Sequence, residues 1–171
     1  MLKKLTVIAI ATVGFTTSSM ASEFMDASWA KQMCGAWNKS GTLTKGLATW
    51  STNDKKRGYK LIQLYRSHCG VKSRVQLTIT SQNGKSHCQS AGKPDGKKMN
   101  YSVDYLMNAS DENWKCMGKA SFGCGAMGAM MSGKLKFKGP KVEAMKVMSP
   151  FGAFLKLVGS VGKNDSKTCP R

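Results

Sequence analysis

The stretch from Gly123 to Gly159 limits what this chain can fold into more than any other. It opens on a methionine-rich run of small residues, Gly123-Cys124-Gly125-Ala126-Met127-Gly128-Ala129-Met130-Met131-Ser132-Gly133. Lys134/Leu135/Lys136/Phe137/Lys138 then alternates with the two-residue period of a strand, one face basic and the other apolar. Two helices are expected to begin at Pro140 and Pro150, because proline's fixed φ and missing N–H suit the first helical position. In the second, Phe151, Phe154, Leu155 and Val158 recur at i, i+3, i+4 and i+7 and form one apolar stripe. Five methionines fall between Met127 and Met148. Their flexible, polarisable side chains suit an irregular core or a surface that fits apolar guests of variable shape. Periodicity alone does not separate those two uses.

The N-terminal 21 residues have the composition of an export signal: Lys3 and Lys4, an apolar core from Leu5 to Phe15, and Ser19-Met20-Ala21 ahead of Ser22. Cleavage is expected between Ala21 and Ser22, which places the mature chain in the periplasm or outside the cell. The apolar core is shorter than the roughly 20 residues a spanning helix needs. Removing Lys3 and Lys4 from 27 Lys and Arg leaves 25 against 9 Asp and Glu, a net charge of about +16. A charge of that size favours anionic partners such as headgroups, acidic glycans or nucleic acid. Export and the scatter of the basic residues argue against nucleic acid. Cys34, Cys69, Cys88, Cys116, Cys124 and Cys169 are disulfide candidates in an exported chain, and six cysteines allow 15 pairings.

Along the mature chain, Asp26 or Ser28 can cap a helix carrying Trp29, Met33 and Trp37, and Leu43, Leu47 and Trp50 continue as a second helical segment. A strand from Tyr59 to Arg66 is apolar on both faces and belongs in the middle of a sheet. Arg74 to Thr80 alternates, Asn83-Gly84 signals a hairpin, and Lys85 to Ala91 returns as a polar edge strand. A fourth strand is expected over Met99, Tyr101, Val103 and Tyr105, then a helix capped by Ser110 that stops near Gly118. Strands in a run with helices at the ends read as α+β. The expected division is 1–21 signal, 22–58 helical segments packed with a core at 59–159, and a polar tail at 160–171, loose unless Cys169 pins it.

The Met-Ser-Gly-Lys-Leu-Lys-Phe-Lys-Gly-Pro run at 131–140, with the apolar stretch before it and Ala-Met-Lys-Val-Met after it, resembles the C-terminal half of the SCP-2 (sterol carrier protein 2) lipid-transfer domain. The resemblance covers about 123–158 and extends back to about Tyr59. It implies a five-stranded, mainly antiparallel sheet with helices on one side, enclosing a hydrophobic tunnel. It also implies a guest lined by Met127, Met130, Met131, Leu135, Phe137, Met145, Met148, Phe151, Phe154, Leu155 and Val158, with 151–158 as the lid. Lys134, Lys136 and Lys138 would then meet anionic headgroups or a membrane surface.

No residue pattern calls for covalent chemistry, a cofactor or a metal. His68-Cys69 and His87-Cys88 hold the only two histidines, but neighbouring residues on a strand point to opposite faces, so each pair is poorly placed to share a zinc ion. In a plain meander the first and third strands lie about 9–10 Å apart, beyond disulfide reach, although Cys69 sits at a strand end where a loop can close the gap. Cys116 and Cys124 are close enough in sequence to close a small loop. No nucleophile elbow or oriented histidine is present. The expected function is non-enzymatic binding and transfer of an apolar lipid (fatty acid, phospholipid or sterol-like) in the periplasm. The alternative is a basic exported module, with a solid core and no lipid guest, that binds an anionic envelope polymer or membrane surface.

Overall fold

A computed structural model describes residues 23–162 and 168–170; the expected signal at 1–21 and its cleavage point lie outside them. Helix α1 spans Ala27–Lys39, and Asp26 caps it by accepting the Trp29 N–H at 2.6 Å. Its inner face buries Trp29, Ala30, Met33 and Trp37. Ser40 ends α1 and at once caps α2, Gly41–Gly46, by accepting the Leu43 N–H. The expected second helical segment is therefore two short helices, α2 and α3 (Ala48–Thr52), broken at Leu47.

The sheet has five strands in the order β3-β2-β1-β4-β5. They are β1 Lys60–Arg66, β2 Val75–Gln82, β3 Lys85–Gly92, β4 Tyr105–Ala109 and β5 Lys136–Lys138. Three pairings are antiparallel and β1–β4 is parallel. The β2–β3 turn is Asn83-Gly84, both at positive φ (50° and 69°), as a two-residue primed turn requires. Ile62, Leu64, Val75, Leu77, Ile79, Tyr105 and Met107 share one face through this register and carry the core. Trp29, Met33, Trp37, Phe151, Phe154, Leu155 and Val158 cover that face from α1 and α7 (Met148–Ser160). The opposite face is mixed: it carries Leu61 and Leu106 beside a polar ladder in which Gln63 Nε2 donates to Gln76 Oε1 and Gln76 Nε2 donates to Asp95 Oδ1.

Three sequence expectations are corrected. The fourth strand starts at Tyr105, not Met99. Asp104 is buried and its carboxylate accepts from the Asn100 and Leu61 N–H groups and from Arg57 Nη1 and Nη2, which holds 100–104 in a turn. The prolines do not sit at first helical positions: Pro140 is the cap of α6, Lys141–Lys146, and Pro150 is the third residue of α7. A missing N–H costs nothing at either place, because the first four N–H groups of a helix have no partner within it. Lys134 lies outside β5, because Gly133 at φ 72° turns the chain and the Leu135 N–H returns to the Ala129 carbonyl.

The remaining helices, α4 (Asp111–Gly118) and α5 (Ala126–Met131), follow β4. α4 crosses α7 where Gly118 meets Gly159, so closely that a Cβ on Gly118 would lie 2.5 Å from the Gly159 Cα. Disulfides join Cys34–Cys88, Cys69–Cys169 and Cys116–Cys124. The first ties α1 to the edge strand β3, and the second, with the Thr168 carbonyl accepting from Arg66 Nη1, holds residues 168–169 against the end of β1.

Candidate functional site

Two apolar spaces adjoin each other around β5. The inner one is a cavity of about 30 Å³ between the sheet and the closing helices, walled by Trp37, Trp50, Ile62, Tyr105, Phe151 and Phe154 among others. That volume holds little more than one water-sized guest. A closed circuit of rings keeps it small: Trp37–Trp50, Trp50–Tyr105, Tyr105–Phe137, Phe137–Phe151, Phe151–Phe154 and Phe154–Trp37 all have centroids 5.3–6.4 Å apart. Contacts of this kind stabilise beyond their buried area.

The outer space is an open groove of about 720 Å³ along β5, within the range of ligand sites. Met127, Met130 and Met131 of α5 and Met145 of α6 form its apolar walls, with Leu135 and Phe137 beneath. Lys136, Lys138 and Lys141 bring cations to it, and Tyr65, Leu106 and Asn108 enter from the mixed face of the sheet. The register explains the mixture. Lys136 pairs with Asn108 and Lys138 with Leu106, so these share the outer face, while Phe137 pairs with Met107 and faces the helices. Phe137 lines the groove, and its ring contacts Tyr105 and Phe151, which wall the cavity. Met127, Met131 and Met145 are exposed, Met131 at 81%, and they share the groove's wall, so their exposure forms a patch of the kind that marks an interaction site.

A buried polar cluster fixes α6 beside these spaces. The Lys60 side chain is fully buried, and its ammonium donates to Glu143 Oε2 at 2.8 Å, Oε1 at 2.9 Å and the Trp50 carbonyl at 3.2 Å. It also stands 4.2 Å from the Trp50 ring centre. Tyr105 Oη donates to Glu143 and accepts from Trp50 Nε1. Burial pushes the Lys60 pKa down, against the opposing pull of Glu143. Burial raises the Tyr105 pKa, and its bond to Glu143 raises it further.

Of the residues expected to line a guest site, Met127, Met130, Met131, Leu135, Phe137 and Met145 come together on the groove. Phe151 and Phe154 wall the inner cavity instead. Met148 lies on a third, more open depression with Met127, Gly152 and Lys156, and Leu155 and Val158 are packed into the core. Among the expected headgroup lysines, Lys136 and Lys138 reach the groove and Lys134 does not: its ammonium lies 3.4 Å from the Gly123 carbonyl and 3.5 Å from Cys124 Sγ. Sequence reasoning missed Tyr65, Leu106, Asn108 and Lys141, of which only Lys141, next to the motif, carried a local signal. His68, Cys69 and Cys169 place ligand atoms within 4.8 Å of one another, but both sulfurs are joined in a disulfide and offer no thiolate to a metal.

A five-stranded, mostly antiparallel sheet with helices on one face, one parallel pair and a short fifth strand beside the site define an SCP-2-like α+β fold. The chain is similar to a crystal structure of sterol carrier protein 2 with a TM-score of 0.55 and 18% identity, over 82% of this chain and 100% of that one. It is similar also to the solution structure of a conserved hypothetical protein from Thermus thermophilus, described as a candidate sterol carrier protein. There the TM-score is 0.52 and the identity 19%, over 88% of this chain and 97% of the other. No family model and no curated protein matches the chain. At these identities the likeness is one of fold.

Proposed function

We propose that this protein binds, and passes on, a lipid with an apolar tail and an anionic head, without covalent chemistry, in the periplasm after export. The observation that carries the reading is the groove along β5, where four methionines and Phe137 meet three lysines in about 720 Å³. Methionine walls accommodate tails of differing shape, and each buried methylene contributes about 0.8 kcal/mol. Lys136, Lys138 and Lys141 favour a carboxylate or phosphate head, which fits a fatty acid or phospholipid better than a neutral sterol-like guest. The sterol carrier descriptions of the two fold neighbours support an apolar guest in general. The export reading rests on residues 1–21 and on the three disulfides, which persist in an oxidising compartment. The high positive charge favours a second reading, a module that binds an anionic envelope polymer.

The test is native mass spectrometry of the purified mature protein, with solvent extraction of what co-purifies. The expected result is one acyl lipid per chain, lost in Met131→Asp/Met145→Asp. Both side chains are exposed, so the double variant keeps its fold. Phe151 and Phe154 are unsuitable for this purpose because they close the aromatic circuit of the core. A protein that carries no lipid, takes none from fatty acid or phospholipid vesicles, and binds anionic glycan equally well before and after the substitution would overturn the reading and leave the polymer module in its place.

A further inference from the structure

Phe122 is fully exposed, in a loop whose backbone is held on several sides. It lies in the loop that the Cys116–Cys124 disulfide closes over eight residues. Ala120 and Gly123 on either side both adopt positive φ, 49° and 72°. Hydrogen bonds brace the loop from within: the Ser121 N–H donates to the Cys116 carbonyl and the Cys124 N–H to the Ser121 carbonyl. From outside, the Lys134 ammonium bonds the Gly123 carbonyl, and Gly128 of α5 lies so close that a Cβ there would stand 3.0 Å from the same oxygen. The loop is therefore fastened to the helix that supplies Met127, Met130 and Met131 to the groove. These restraints fix the loop backbone with Phe122 on its outer side.

The surroundings say what the ring meets. Met127, Met131, Val142 and Met145 are also exposed large apolar side chains, and they lie on or beside the same α5–β5–α6 surface. From Asn113 to Gly162 the chain has eight lysines and one acidic residue, Glu143. That one acid is bound to the buried Lys60, so the exposed charge of the segment is all of one sign. Protruding apolar side chains among like cations fit the boundary between headgroups and acyl chains of an anionic bilayer. We infer that the disulfide-braced Phe122 loop docks the protein on an anionic lipid bilayer, with Phe122 inserted below the headgroups and Lys119, Lys136, Lys138 and Lys141 against the phosphates. The geometry and charge stand without the groove; its purpose, bringing the groove to a membrane, rests on the lipid-binding reading above.

Co-sedimentation with vesicles of phosphatidylcholine containing about one third phosphatidylglycerol tests it. Wild type is expected to bind these vesicles, to release in about 1 M salt where screening is nearly complete, and to ignore pure phosphatidylcholine. Phe122→Ala is expected to lower vesicle affinity about tenfold, the worth of one partly buried aromatic ring, with unchanged thermal midpoint and unchanged lipid content by native mass spectrometry. Phe122→Trp provides a direct reporter: bromine-labelled lipid should quench its fluorescence, while Trp29, Trp37, Trp50 and Trp114 are buried and stay unquenched. Equal binding by wild type and Phe122→Ala, or no added quenching in Phe122→Trp, would overturn the docking proposal while leaving the groove intact. A concentration-dependent dimer that Phe122→Ala abolishes would overturn it as well and assign the ring to a second copy of the chain. Normal docking by a protein that never carries lipid would support the docking surface and overturn the groove reading alone.

Discussion

Glu143→Gln should be among the most damaging single-atom-scale changes available to this protein. The substitution keeps size and leaves an acceptor for Tyr105 Oη and Lys60, but removes the negative charge facing the Lys60 ammonium at 2.8 and 2.9 Å. The Lys60 side chain is 0% exposed and that of Glu143 16%, so water can replace little of what is lost. Breaking a buried pair by removing one partner costs about 3–5 kcal/mol. The surviving bonds to Trp50 and to the new amide point to the lower end, about 3 kcal/mol. Lys60→Met/Glu143→Gln removes the stranded charge as well and should return to within about 1 kcal/mol of wild type.

The pH dependence gives a second, independent sign. Burial already lowers the Lys60 pKa, and Glu143 is the partner that opposes it; without that partner the native value falls further below the unfolded value of about 10.4. Between those two values the unfolded chain binds more protons, so stability rises with pH by up to about 1.4 kcal/mol per unit. The deficit of Glu143→Gln should therefore be largest near neutrality and shrink toward about pH 10. Urea unfolding followed by tryptophan fluorescence, with disulfides kept oxidised, reads both quantities. A neutral-pH cost under about 1 kcal/mol, or a deficit that does not change with pH, would refute the argument that a buried charge pair holds α6 in place. α6 also carries Lys141 and Met145 to the groove, so lipid content should fall along with stability.

Gly118→Ala places a methyl 2.5 Å from the Gly159 Cα and should destabilise by about 1–3 kcal/mol. Gly35→Ala, in the middle of α1 with nothing within 4 Å of the new methyl, should instead stabilise by about 0.5–1 kcal/mol; differential scanning calorimetry of the two side by side separates crowding from helix propensity. Asp111→Asn removes the carboxylate that receives the buried Arg66 at 2.7 and 2.5 Å; the Asp111 side chain is 41% exposed, so solvent screening limits the cost at pH 7 to about 1 kcal/mol. The Arg66 guanidinium holds the Asp111 carboxyl below its usual value, so this stabilisation is complete above about pH 4 and lost as pH falls through the lowered native value. Wild type and variant should converge in acid, and parallel denaturation curves at pH 7 and in acid check it.

Much of the fold was legible because its signals are local. Asp26 and the Trp29/Met33/Trp37 spacing produce α1, Asn83-Gly84 produces the hairpin, and the Phe151/Phe154/Leu155/Val158 stripe produces the buried face of α7. Met99, Tyr101, Val103 and Tyr105 alternate as strand residues do, yet the fourth strand begins only at Tyr105. What stops them is Asp104, and its partners Arg57 and Leu61 are 47 and 43 residues away. Lys60 and Arg66 show the same limit. They occupy core-facing positions of β1, and their acidic partners lie on α6 and α4, so no window of sequence around them reveals that either charge is buried.

The site divides along the same line. Its methionine walls come from one continuous stretch of sequence, whereas Tyr65, Leu106 and Asn108 reach the groove only through the parallel β1–β4 register. The deeper difficulty is that a helical stripe against a core and one against a guest have the same period. Phe151 and Phe154 were expected at the guest, and they close a ring circuit around a cavity of about 30 Å³. Burial separates the two uses. A side chain that has found its partners within the chain becomes inaccessible, as these have, while Met127, Met131 and Met145 remain exposed beside lysines. Exposed apolar area loses about 25 cal/mol for each Å² it fails to bury. A fold that accepts this loss at several neighbouring positions, on a segment with a single acid, has left that surface for something the chain itself does not supply.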